Sequence, residues 1–353
     1  MRCFLILFLL AGYKPGSSQT AGVFNFLKFS GSPQLTALGG DNISNQTEDV
    51  SIVFSNPSLL RQQMHSAASF AFTSLYAGIN GYDLQTAYHS EKLRTNFALG
   101  IRFLDYGSVD GTDASGNFLG VVNPADYIIQ VSFSRAYLSR WNYGGTLKFI
   151  HSNYGMYRSS GVAMDLAVSY RDTASQLQAS LVIANIGAQL RTYSVGEREE
   201  LPFDLKLGVS KRLANAPVQF TFTANRLHKF DVTYNDTAFN NENGFDEPGK
   251  KFSIDNIFRH IVLSTQVYIG NHLEVSAGYN YLRRKELNIG SAANGLNGFS
   301  MGAGVLFRTL QIRYGRAFYQ SSRSFHQLGV NTHLNTLLKN RKLGKKVSGK
   351  PGM

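Results

Sequence analysis

The side chains that could perform chemistry are scattered along the chain. After the leader there is no cysteine, because Cys3 is the only one, and no H-E-x-x-H, G-x-x-x-x-G-K-[ST] or G-x-S-x-G motif is present. The histidines show no ligand or catalytic spacing: His65, His89, His151, His228, His260, His272, His326 and His333. We therefore expect no enzyme and no cofactor. A hydrolase assembled from distant strands is the alternative that sequence leaves open.

Acidic residues gather in one long polar stretch, residues 229–257, together with several asparagines. Oxygen-rich segments of this kind can hold Ca²⁺, but the order D-x-[DN]-x-[DN]-G of an EF-hand is absent. A solvated loop is the simpler interpretation, and we predict no metal site there.

The charge is low and unevenly placed. Charged residues make up 16% of the 353, below the roughly 25% usual for soluble domains, while aromatic residues reach 12%. Part of the net charge of +12 comes from a C-terminal tail, residues 337–353, that has no acidic residue. We therefore expect a basic tail that contacts acidic lipid or lipopolysaccharide or stays disordered, and no nucleic-acid partner.

Residues 1–18 have the pattern of a secretory signal peptide. Arg2 gives a positive start, an apolar run follows, and Gly16, Ser17 and Ser18 supply small residues for cleavage. The apolar run is about half as long as a membrane-spanning helix requires. The chain is therefore predicted to be exported.

From residue 66 to 336 the sequence alternates apolar and polar residues with a period of two, which is typical of strands with one apolar face. Segments of this kind are about as long as tilted transmembrane strands. We predict about fourteen strands: 66–77, 82–91, 94–106, 126–139, 142–154, 161–171, 176–187, 203–213, 217–229, 258–269, 272–284, 297–308, 310–320 and 325–335. On the polar face we expect inward charges at Asp165, Lys206, Glu274 and Arg313, either as a solvated lumen wall or, less simply, as a specific site.

The predicted connections alternate between tight turns and long polar loops. The long ones are 105–125, 154–160, 188–202, 229–257 and 284–296. Outer-membrane barrels have short periplasmic turns and longer outer loops. The fold class predicted is therefore all-β: a transmembrane antiparallel β-barrel in the cell outer membrane, with a small N-terminal plug formed by residues 19–65 because so wide a barrel needs filling.

The plug segment carries two short motifs that resemble those of a known protein family. Ala37, Leu38, Gly39, Gly40 and Asp41 follow Ser32, and Asn56 and Pro57 precede the first strand. This arrangement resembles the FadL-like outer-membrane proteins, and within them the PorV/PorQ class of the type IX secretion system. Ser32-Pro33-Gln34 departs from the Ser-Ala-Arg usual in PorV-type relatives, which leaves the subfamily open.

The resemblance implies a non-catalytic component of the type IX attachment complex. It would anchor a PorZ-like surface protein, with PorU and PorV in the same complex, and support cargo maturation and attachment to lipopolysaccharide. We expect its loops to bind the partner through Asp113, Asn117, Tyr193, Arg198, Phe239, Asn243, Phe245, Asp246, Arg284 and Asn294. The alternative, from the other branch of the resemblance, is a transporter of small hydrophobic compounds.

Overall fold

A computed structural model describes residues 23–45, 47–113, 115–194, 198–232, 253–287, 295–320 and 323–335. Fourteen of its strands form one closed antiparallel barrel in which each strand pairs with its neighbours in sequence and β1 pairs with β16. The remaining two, β4 and β5, form a separate hairpin. The predicted all-β barrel is confirmed.

The strands agree with the predicted segments to within a few residues at most ends. They are β1 (Ala67–Ser74), β2 (Asn80–Ser90), β3 (Thr95–Asp105), β4 (Val109–Thr112), β5 (Phe118–Val122), β6 (Ala125–Tyr137), β7 (Trp141–Tyr154), β8 (Tyr157–Asp172), β9 (Leu177–Arg191), β10 (Asp204–Arg212), β11 (Val218–Ala224), β12 (Ile261–Ile269), β13 (Leu273–Asn280), β14 (Phe299–Leu306), β15 (Leu310–Gln320) and β16 (Arg323–His333).

Helical segments are short. They are α1 (Pro33–Ala37), α2 (Ile254–Arg259) and α3 (Tyr281–Leu287), with 3-10 turns at Asn25–Lys28, Val50–Phe54, Pro57–Leu59, Gln62–Met64 and Tyr76–Gly78. No helix among the described residues is long and apolar enough to cross a membrane. The prediction that the strand starting at residue 272 runs to 284 was wrong, because β13 ends at Asn280, whose side chain accepts the Arg283 amide at 3.0 Å as α3 begins.

The two ends of the barrel differ in their connections. At one end, the short-turn end, both the entry to β1 and the exit from β16 lie beside tight turns. The other, the long-loop end, carries the connections 106–124, 192–203, 225–260 and 281–298. Residues 154–160 were predicted as a long loop, and this was wrong. Only residues 155–156 separate β7 from β8, because β7 ends at 154 as predicted but β8 begins at Tyr157, four residues before the predicted start, with polar side chains on both faces.

The wall is apolar outside and polar inside. Along β7, Leu147 and Phe149 are 62% and 47% exposed on the outer face, whereas Thr146 and Lys148 are buried on the inner face. An apolar outer face with a polar interior is the pattern of transmembrane barrels, and the closed ladder satisfies the backbone hydrogen bonds that lipid cannot.

The described residues that precede β1 fill the lumen. We call residues 23–45 and 47–65 the plug. Leu35, Leu38 and Ile43 are fully buried, and α1 packs against β13, β14, β15 and β16. The plug starts at the long-loop end, where Phe24 contacts β8, and reaches β1 at the short-turn end.

Candidate functional site

The plug motif places its residues against the wall. Gly39 and Gly40 have φ of +93° and +87°, a left-handed conformation that other residues rarely adopt, so the turn after α1 requires glycine. The turn directs the Asp41 carboxylate to the wall, where it accepts Lys206 Nζ at 2.9 Å and Asn225 Nδ2 at 3.1 Å. Ala37 and Leu38 are buried beside it.

Asn56 and Pro57 hold the second half of the plug together. The Asn56 side chain accepts the Ser58 amide at 2.9 Å, while its Nδ2 donates to the Ile43 carbonyl at 2.6 Å. The first bond caps a 3-10 turn that Pro57 begins with its fixed φ. The second ties this turn to the first half of the plug.

Inward glycines make room for the plug. A methyl group on Gly144 of β7 would lie 2.7 Å from the Pro57 carbonyl carbon, and one on Gly208 would lie 2.7 Å from Ile43 Cγ1. Both distances are too short for real carbon contacts. The same applies to plug contacts at further wall glycines: Gly100, Gly161, Gly278, Gly302, Gly315 and Gly329. The wall is therefore shaped to the plug backbone.

The four predicted inward charges do face the lumen, and all four form ion pairs. Arg313 binds Glu274 at 2.5 Å and Asp49 of the plug at 3.0 Å. Lys206 binds Asp41, and Asp165 binds Lys148 at 2.6 Å. A solvated lumen wall does not describe Arg313, Glu274 and Asp165, because they are buried and their partners belong to the plug or the wall. Charges buried in this way must be paired.

A cavity of about 360 Å³ opens at the long-loop end, above the plug. We call it the aromatic mouth. Val23, Phe24, Phe26 and Phe29 of the plug form one side. The strand ends and loops form the other side with Leu75, Tyr76, Ile79, Leu104, Tyr106, Tyr154, Tyr193 and Glu199. Phe24 and Phe26 are only 4% and 5% exposed and meet edge to face, with ring centroids 6.0 Å apart.

A buried carboxylate lies behind the tyrosines of the aromatic mouth. Asp126 of β6 is fully buried and accepts the Tyr106 hydroxyl at 2.5 Å and the Tyr154 hydroxyl at 3.1 Å. The Tyr154 ring also lies tilted between the rings of Tyr106 and Tyr193, with centroid distances of 5.8 and 5.7 Å. Burial and the neighbouring Asp126 raise the pKa of Tyr106 well above its ordinary value, so its hydroxyl stays protonated and continues to donate.

The predicted partner-binding residues are not brought together in one place. Asp113 and Asn117 close the β4–β5 hairpin, where Asp113 accepts the Asn117 amide at 2.8 Å. Tyr193 lines the aromatic mouth, Arg198 is exposed in the loop after β9, and Arg284 lies on α3 and donates to the Gly295 carbonyl at 2.9 Å. Five lie outside the described residues: Phe239, Asn243, Phe245, Asp246 and Asn294. Their role in partner binding stays a prediction.

The sequence interpretation missed Asp126, Tyr106 and Tyr154. The alternation along β6 predicts that Asp126 faces inward, because it belongs to the polar set and precedes outward-facing Tyr127. Its tyrosine partners come from other strand ends and share no local pattern with it. Among the described residues there is no group of three or more His, Cys, Asp or Glu side chains arranged to hold a metal ion.

Comparisons with known proteins show the fold of the chain. No protein-family model and no curated protein matches the sequence. The solved structure of the CymD monoaromatic hydrocarbon channel is similar with a TM-score of 0.51 and 12% identity, over 87% of this chain and 98% of that one. The TodX monoaromatic hydrocarbon channel deltaS2 mutant has a TM-score of 0.49 and 13% identity, over 86% of this chain and 98% of that one. The KdgM porin has a TM-score of 0.33 and 4% identity, over 75% of this chain and 98% of that one. The similarity to CymD shows that the chain shares the fold of that channel.

Proposed function

We propose that this chain is an outer-membrane protein that takes in small hydrophobic compounds through the aromatic mouth. The observation that carries the proposal is the cavity itself, about 360 Å³ in volume and lined mainly by aromatic and aliphatic side chains. An apolar cavity of about 150 Å³ is already large enough to bind benzene. The aromatic mouth therefore has room for a substituted single-ring compound.

The position of the cavity fits uptake from outside the cell. The long-loop end of an outer-membrane barrel faces outward, and the aromatic mouth lies at that end. The fold is shared with the CymD monoaromatic hydrocarbon channel, and this supports the uptake of small hydrophobic compounds by this chain as well. This favours the transporter alternative of the sequence interpretation.

Saturable binding of toluene tests the proposal. The protein is placed in lipid nanodiscs and radiolabelled toluene is measured by equilibrium dialysis against protein-free nanodiscs. Leu104→Trp fills the cavity from a position that is 4% exposed, and Leu147→Trp adds the same ring on the outer face, where Leu147 is 62% exposed.

We expect saturable binding by the wild type, a loss of at least tenfold in Leu104→Trp and no change in Leu147→Trp. Tyr76→Trp, on the rim of the cavity, provides a second filling variant if Leu104→Trp does not fold. Binding that never saturates, or that Leu104→Trp and Tyr76→Trp both leave intact, would refute the proposal.

A second candidate function is anchoring of a PorZ-like surface protein within a type IX attachment complex, as PorQ does. The observation that favours it is the β4–β5 hairpin, which exposes Phe118, Leu119 and Val121 by 63%, 62% and 59% at the long-loop end. Large apolar side chains exposed together mark protein contacts when they lie outside the lipid-facing band. Ser115 and Asn117 donate three hydrogen bonds to the Asp113 carboxylate, and these bonds hold the described residues at the end of the hairpin together.

Co-purification from outer membranes tests the anchoring role. Phe118→Ser with Leu119→Ser removes the apolar tip, and Leu138→Ser is the control, because Leu138 is 73% exposed at the short-turn end. We expect the double variant to lose a PorZ-like protein that the control retains. Equal recovery with both, also after deletion of 229–257 and 284–296, would rule out loop-mediated anchoring.

A further inference from the structure

The polar part of the aromatic mouth has an unusual composition. Its polar side chains are those of Asn25, Tyr76, Tyr106, Tyr154, Tyr193 and Glu199. No lysine, arginine or histidine is among the residues that line it. Behind them Asp126 is buried, and none of the ion pairs among the described residues includes it. Two tyrosine hydroxyl groups donate hydrogen bonds to this carboxylate.

The donors of the cluster are committed to Asp126. A phenolic hydroxyl has one hydrogen to donate and lone pairs with which to accept. Tyr106 and Tyr154 both direct that hydrogen to the Asp126 carboxylate, at 2.5 and 3.1 Å. A hydroxyl that donates one hydrogen bond becomes a better acceptor of another, because hydrogen bonds in a chain polarise one another. On this side of the cavity Tyr106 and Tyr154 therefore offer acceptors to a ligand.

From this we infer that the aromatic mouth selects single-ring aromatic compounds that carry a hydrogen-bond donor, such as phenols, over compounds of the same shape without one. The inference rests on the proposed function and names its substrate class. The ring of the ligand packs against Phe24 and Phe26, and its O–H or N–H donates to the Tyr106 hydroxyl oxygen. The Glu199 carboxylate and the lack of basic lining residues disfavour carboxylate ligands.

Three toluene derivatives that differ only in their para substituent separate the contributions. p-Cresol carries a donor, p-methylanisole is its methyl ether without a donor, and p-toluate carries a negative charge. Binding is measured by equilibrium dialysis in nanodiscs, with protein-free nanodiscs to correct for partition into lipid. A neutral hydrogen bond corresponds to a preference of about fivefold for p-cresol over p-methylanisole. We expect p-toluate to bind most weakly.

Tyr106→Phe removes the acceptor and keeps the ring, so we expect the preference to fall to about one while the affinity for p-methylanisole is unchanged. If the Tyr106 hydroxyl had a purely structural role, Tyr106→Phe would instead weaken the binding of both compounds. Tyr88→Phe is the control, because Tyr88 is 60% exposed on β2, away from the aromatic mouth.

The outcomes separate this inference from the proposed function. Equal affinities for p-cresol and p-methylanisole in the wild type would overturn the donor preference and leave hydrophobic binding standing. A preference that survives in Tyr106→Phe would overturn the assigned residue and hence the inference. If neither these compounds nor toluene bind saturably, the proposed function fails and the inference fails with it.

Discussion

Gly144 of the wall and Pro57 of the plug meet backbone to backbone. A single methyl group on Gly144 would lie 2.7 Å from the Pro57 carbonyl carbon and 2.8 Å from the following amide nitrogen of Ser58. No flexible side chain stands between them that could move aside. The plug is therefore built into the wall at this level of the barrel, and the open space for a ligand lies above it, in the aromatic mouth.

Adding that methyl group should destabilise the protein. We expect Gly144→Ala to lower the free energy of unfolding by about 1–3 kcal/mol, as is usual when a filled core receives extra atoms. Urea unfolding in lipid vesicles measures the change. Gly295→Ala is the matched control, since a methyl group there meets no atom within 4 Å. Equal stability of Gly144→Ala and wild type would mean that plug and wall are not in contact.

Removing the charge that joins wall and plug should be more costly. Arg313 is 4% exposed and binds both Glu274 and Asp49, so Arg313→Met leaves two carboxylates buried without their cation. We expect a loss of about 3–5 kcal/mol in the same unfolding experiment. Arg140→Met, at an exposed pair with Asp172 whose atoms are 3.9 Å apart, should show no measurable change. Similar effects of the two substitutions would contradict the burial of the Arg313 ion pairs.

A disulfide between plug and wall should form without disturbing ligand binding. The hydroxyl oxygens of Ser44 and Ser210 are 2.8 Å apart and buried, and Cys3 in the leader is the only native cysteine. We expect Ser44→Cys with Ser210→Cys to cross-link on oxidation and to bind toluene as well oxidised as reduced, because binding needs no plug movement. Loss of binding on oxidation that a reductant restores would show that the plug moves.

The α2–α3 contact should resist acid. Asp255 accepts the Tyr281 hydroxyl at 2.6 Å and Arg259 Nε at 2.7 Å, and these bonds, the Tyr281 bond foremost, lower the pKa of Asp255 from 3.8 to about 2. A lowered pKa contributes stability that is fully present above pH 3.8 and is lost as the pH falls through about 2.

Amide-exchange protection of α3, corrected for intrinsic rates, measures this loss. We expect protection to hold down to about pH 4 and to decline below it. In Tyr281→Phe the decline should be smaller and should be complete at a higher pH, because the largest cause of the lowered pKa of Asp255 is gone. Protection that is independent of pH in the wild type, or a Tyr281→Phe profile like that of the wild type, would contradict the assignment.

The barrel could be predicted from the sequence because the alternation of apolar and polar side chains is a property of each strand by itself. Outward Leu147 and Phe149 alternate with inward Thr146 and Lys148, and this period alone defines a strand with an apolar face. The alternation fades where both faces are wet, which is why Tyr157 and the first residues of β8 looked like loop.

The candidate site could not be predicted in the same way. The aromatic mouth combines plug, strand-end and loop residues that lie more than a hundred positions apart, such as Phe26 and Tyr154, and only barrel closure brings them together. The sequence does show that Gly144 and Gly208 interrupt the wall, but not that the plug backbone fills the space.

The location of a bound aromatic ring tests the central claim most directly. A crystal structure of the protein soaked with bromobenzene, recorded at the bromine absorption edge, shows where such a compound resides. The account predicts a bromine peak in the aromatic mouth, between Phe24, Phe26 and Leu104. A peak between plug and wall, or peaks confined to the lipid-facing surface with none in the mouth, would contradict it.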